Sequence, residues 1–156
     1  MTCIHTDYLG IQYDRMDRIP AMAFFIPLIT ATGGNVGVQS SSIVVQSLAN
    51  RTFFEKNLGH RLIKVMMTGL INGLVLASLV FLANLGLGQP TKLALVVSIA
   101  LLSVVMLASV MGTITPLVLD HFGVNPAVAS GPFITTTNDL LGLGVYFSVA
   151  SLLYSL

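Results

Sequence analysis

The charges of this chain are segregated along it, and that segregation limits the fold more than any other property. No Asp, Glu, Lys or Arg occurs in residues 19–50, 65–91 or 93–119, and beyond Asp120 the one remaining charge is Asp139. A helix needs about 20 mainly apolar residues to cross the hydrocarbon core of a bilayer, and each window is long enough. The pattern predicts an all-α, polytopic membrane protein with four spans, roughly residues 20–49, 63–87, 91–119 and 126–154, after a polar segment at residues 1–19. Composition points the same way. Of 156 residues, 54% are hydrophobic and 8% charged, where a soluble domain carries about 25% charged residues. A soluble globular enzyme and a disordered chain are both excluded. The net charge of +1 leaves no basic footprint for nucleic acid. Cys3, the single cysteine, has no partner for an intrachain disulfide.

The connections between spans are short. The loop at residues 50–62 carries Arg51, Lys56 and Arg61, with Lys64 just beyond and Glu55 opposing them. The positive-inside rule places this loop in the cytoplasm. Residues 86–90 are then outside, residues 120–125 inside, and the C-terminus outside. Phe53 and Phe54 suit either headgroup depth or a solvated turn. The first eighteen residues are polar, unlike a secretory signal.

Two of the segments break the apolar rule. Pro27 is followed by glycines at 33, 34 and 37, with Asn35 and Gln39 one helical turn apart and Ser40, Ser41 and Ser42 after them. This run suits close helix packing over a face of small residues. It equally suits a helix opened by proline and glycine, whose carbonyls line a wet pathway. The last segment carries Gly131, Pro132, Thr135, Asn138 and Asp139. Asp139 is its fourteenth residue, near the middle of the expected span. An ionised carboxylate there costs roughly 2.5–3.5 kcal/mol. Either it is protonated or hydrogen-bonded to Thr135, Asn138 or serines, or its counter-charge is a transported cation.

The candidate donors are oxygens: the Asp139 carboxylate, the Asn35 and Asn138 amides, threonine hydroxyls and backbone carbonyls. Soft metals favour imidazole and thiolate, and His5, His60 and His121 lie in tails and loops. Magnesium keeps several waters and takes one or two carboxylates. Two chains on a two-fold axis would supply two. No second carboxylate lies inside a span, and no His lies near a Ser or Cys within one, so no catalytic constellation is expected.

The run from Pro27 through Gly33-Gly34-Asn35-Val36-Gly37-Val38-Gln39, then Asn125-Pro126-Ala127, then Gly131 through Asp139 and Gly142, resembles the membrane domain of the MgtE family of magnesium transporters and channels. The resemblance covers about residues 21–156. It implies a multi-pass homodimer in the cell membrane, with the ion path at or near the two-fold axis. Asp139 is then the principal carboxylate holding a hydrated Mg2+, which is the transported ion and not a catalytic cofactor. Asn35 is the pore-lining amide, and Thr135 sits one turn before the acid. The best-known members carry Asn where this chain has Gly131, which offers a backbone carbonyl instead. Family membrane domains have five spans, so the resemblance puts the first span, the cytoplasmic N-terminal domain and the paired CBS domains outside this sequence. Transport of Mn2+ or Co2+, Na+-coupled exchange, and a non-transporting scaffold or partner subunit are the alternatives.

Overall fold

The computed structural model describes residues 22–49, 58–129 and 131–155. The polar segment at 1–19 and the basic stretch around Arg51, Phe53, Phe54 and Lys56 lie outside the described residues. Among the described residues, four long helices follow one another: α1 Ile26–Ala49, α2 Leu58–Gly86, α3 Thr91–His121 and α4 Pro132–Ser155, with a 3-10 turn at Pro126–Ala129 before α4. The all-α fold read from the charge-free windows is the one found. Two helices are long and apolar enough to cross a membrane by themselves: Ile63–Gly86 of α2 at mean hydropathy 2.2, and Thr91–His121 at 2.7. The other two have 24 residues each, about 36 Å at 1.5 Å per residue. Glycine, serine, threonine and asparagine dilute their apolar character.

The fold is organised around α3. Leu93, Val97, Ala100, Leu101, Val104 and Ala108 are all buried, at the three- and four-residue steps of a helix face. Ala94, Val96 and Val105 are buried as well, because α2 packs on one side of α3 while α1 and α4 pack on others. Burial from water gives little drive between helices in lipid, so small side chains and close contact take its place. On α2 Gly69, Gly73 and Ala77 are buried at a spacing of four, with Asn84 buried nearer its end. A Cβ at Gly73 would stand 2.7 Å from Leu102 Cδ1, and one at Gly69 2.6 Å from Ser109 Oγ. The rest of α2 turns outward and exposes Ile63, Met67, Ile71, Val75, Leu79 and Leu82, an apolar face suited to lipid.

Both short connections stop their helices in the same way. Gln89 N–H donates to the Asn84 carbonyl and Val124 N–H to the Leu119 carbonyl, each closing a Schellman turn. Gly88 and Gly123 supply the left-handed residue, at φ 71° and 70°. Pro27 is the second residue of α1, where a missing N–H costs nothing. The helix therefore runs unbroken through Gly33, Gly34 and Gly37. Of the two readings of this run, the closed, packed helix is the one found. The interruption lies instead in the last segment, which divides into the 3-10 turn and α4. Asp139 is consequently the eighth residue of α4, two turns from its start and not at its middle.

A hydrogen bond ties the second half of α4 to the start of the described chain. The buried Tyr146 Oη donates to the Met22 carbonyl over 2.9 Å. Tyr146→Phe keeps the ring and loses this one bond, while the Met22 carbonyl still accepts the Phe25 N–H over 3.1 Å, so the cost is that of a single hydrogen bond, about 1 kcal/mol. Thermal unfolding in detergent should fall by roughly 2–4 °C.

Candidate functional site

The site begins with the approach to α4. Asn125 Oδ1 accepts the Ala127 N–H over 3.0 Å and caps the 3-10 turn. Gly131 adopts φ 71°, a conformation that side chains resist, and so lets the chain turn into Pro132 at the first position of α4. The Gly131 carbonyl accepts the Thr135 N–H over 3.0 Å. The Thr135 hydroxyl donates back to the Pro132 carbonyl at 3.0 Å, with Gly131 at 3.4 Å. Gly131 and Thr135 are thus joined within the first turn, and Thr135 leads to Asp139 one turn on.

The three glycines of α1 let α4 come close. A Cβ at Gly34 would stand 3.4 Å from Asp139 Oδ1 and 3.6 Å from Thr135 Cβ. One at Gly37 would occupy the place of Asn138 Nδ2 and come within 3.0 Å of Ile134 Cγ2. Gly33 faces Val104 of α3, whose Cγ1 would lie 2.9 Å from a Cβ there. Gly142 of α4 meets the same Val104 atom at 3.2 Å. One valine is therefore clasped between α1 and α4, and the three helices meet at one crossing. On its α3 side stands Gly112, where a Cβ would overlap the Gly37 carbonyl oxygen.

This crossing brings Thr135, Asn138 and Asp139 together against α1. Asp139 is half-buried, Thr135 is half-buried, and Asn138 is buried. Asn35 falls elsewhere: it is exposed, as are Gln39 and Gln46 on the same helix. Three amides thus give α1 a polar outer stripe in an otherwise apolar segment. Among the described residues, no three His, Cys, Asp or Glu side chains are placed to hold a metal ion. The donors around Asp139 are therefore amide, hydroxyl and carbonyl oxygens. A cavity of about 390 Å³ lies apart, lined by Phe24, Phe25, Val80, Asn84 and Leu87 among others and by nothing from α4.

Sequence reasoning missed Gly112 and the pair Gly69 and Gly73. The signal for the latter was present as a four-residue glycine spacing in a charge-free helix. For Gly112 it was a lone glycine four residues before Pro116.

A family model described as a divalent cation transporter, MgtE, matches residues 26–149. This chain belongs to the MgtE family. It is 39% identical over 132 residues to the magnesium transporter MgtE of Enterococcus faecalis, covering 84% of this chain and 29% of that protein. It is 36% identical over 138 residues to the MgtE of Thermus thermophilus, covering 88% and 30%. The Bacillus subtilis MgtE is 32% identical over 138 residues, covering 88% and 31%. The chain thus spans less than a third of the length of the curated relatives it matches. The matched MgtE region includes α2, α3 and the whole crossing of Gly34 and Gly37 with Thr135, Asn138 and Asp139.

Proposed function

We propose that this chain forms part of a divalent cation path across the cell membrane, chiefly for hydrated Mg2+. The observation that carries the reading is Asp139, the single charged residue of an otherwise uncharged membrane helix, half-buried against Gly34 of α1. A carboxylate in lipid needs a counter-charge, and no Lys or Arg stands within α4 or α1 to supply one. The cation itself fills that role. Mg2+ gives up its waters reluctantly, so Asp139 holds it through its hydration shell. Thr135, Asn138 and the Gly131 carbonyl are the neighbouring oxygens. All four helices span the membrane, and the chain pairs with a second copy. The exposed stripe of Asn35, Gln39 and Gln46 then faces the path, and two Asp139 carboxylates serve one ion. The relatives named magnesium transporters support the choice of ion.

The test is flux of Mg2+ into liposomes carrying the purified chain and a Mg2+-sensitive dye. Uptake above that of empty liposomes is expected; none at all refutes the reading. The same assay with Mn2+ and Co2+ ranks the ions. Asn35→Ala should lower Mg2+ uptake by roughly tenfold, the worth of one hydrogen bond to a charged ion's shell. Because Asn35 is exposed in the single chain, the unfolding temperature should not change.

A further inference from the structure

Asn138 sits in the middle of the crossing, not at its open edge. It is 2% exposed, and neither its Oδ1 nor its Nδ2 has a hydrogen-bond partner. Its Nδ2 lies against Gly37, in space that any larger residue would need. Asp139, next in sequence, reaches the half-exposed edge beside Gly34. Buried polar groups are nearly always paired, and one that is not calls for a reason. The demand is stronger in lipid, where no water stands by. Filling space is not the reason, because an apolar side chain of the same size would fill it without the penalty.

The surroundings set a second term against the first. Gly33 on Val104, Gly34 on Thr135 and Asp139, and Gly37 on Ile134 and Asn138 make close contacts that hold α1 to α4. The crossing is therefore pulled two ways. Glycine packing favours contact, and the starved amide favours separation.

We propose that Asn138 is a release built into the α1–α4 crossing of the ion path. The arrangement described above is the closed state. Separation of α1 from α4 along Gly34 and Gly37 wets the Asn138 amide, gives it partners, and opens the space beside Asp139 to a hydrated cation. The cation favours the open state because only there do the carboxylate and the amide both reach its water shell. Two packings of similar energy, differing by a shift at one interface, make a switch. The inference rests on the reading of Asp139 as the ion site.

Two variants test it in the liposome flux assay, each with thermal unfolding in detergent. Asn138→Leu replaces the amide by an apolar group of similar size. It should raise the unfolding temperature by roughly 2–4 °C and lower Mg2+ flux by roughly tenfold. A lower unfolding temperature, or unchanged flux, overturns the proposal. The second variant joins the helices directly. The 3.6 Å between a Cβ at Gly34 and that of Thr135 suits a disulfide, whose Cβ atoms lie roughly 3.5–4.5 Å apart. Gly34→Cys with Thr135→Cys, on a Cys3→Ser background, is compared with itself oxidised and reduced. Oxidation should lower flux by roughly tenfold or more, and reduction should reverse it. Equal flux in both forms, with the cross-link complete by mass, overturns the proposal. Native protein that passes no ion removes the transport reading and this inference together. Native flux that neither variant alters removes this inference alone.

Discussion

Asp139→Asn is expected to reduce Mg2+ uptake by roughly a hundredfold while the protein stays folded. Asparagine has nearly the shape of aspartate, so the fit against Gly34 survives the change. The charge does not survive, and with it go the charge-assisted hydrogen bonds from the waters of the ion. Each is worth about 1.5–3 kcal/mol, and every 1.4 kcal/mol is about tenfold, so losing two at the lower figure gives the stated drop. Stability should move the other way or not at all. An ionised carboxylate in a membrane helix carries an insertion cost, and the neutral amide avoids much of it. Flux and unfolding temperature measured on one preparation separate the two effects. Uptake equal to that of the native chain would sink the assignment of Asp139.

Gly112→Ala is expected to cause the largest loss of stability from one methyl group. Its Cβ would overlap the Gly37 carbonyl oxygen and approach Ser40 Cβ to 2.9 Å. A flexible side chain can turn aside, but a backbone carbonyl in a closed helix cannot. The whole of α1 must shift from α3, and α1 also carries the glycines that face α4. Overpacking of this kind costs about 1–3 kcal/mol and occasionally more, so the unfolding temperature should fall by up to about 10 °C. Gly144→Ala is the matched control. Nothing lies within 4 Å of its Cβ position, and alanine in a helix gains up to about 1 kcal/mol over glycine. Thermal unfolding should therefore rise for the control and fall for Gly112→Ala. If both move together, the close approach of α1 and α3 is not the cause.

The helices were legible in the sequence because absence of charge is a property of single residues. The expected spans at 63–87 and 91–119 lie within one residue of where α2 ends and α3 begins, and Gly88 marks the turn between them. The closeness of Asp139 to the glycines of α1 was not legible. Gly34 and Asp139 are far apart along the chain, and only the packing of α1 and α4 around Val104 joins them. The start of α4 was read too early because Pro126 opens a turn, not the helix, and the left-handed Gly131 delays the helix to Pro132. The packing of the 33–37 run was undecidable from its residues alone. Glycines that open a helix and glycines that seat a neighbour have the same composition, and the difference lies in what stands opposite.

The central place of α3 also has a consequence for synthesis. Helices α2 and α3 are neighbours in the chain, so they can pair as soon as both have left the ribosome. The crossing of α1 with α4 cannot form then, because Thr135, Asn138 and Asp139 are made after α3 is complete, and their partner Gly34 was made before α2 began. Until α4 arrives, the small-residue face of α1 and one side of Val104 remain uncovered. A ribosome that stalls between α3 and α4 leaves three helices without Asp139. The crossing of α1 with α4 thus closes only after α2 and α3 have been made.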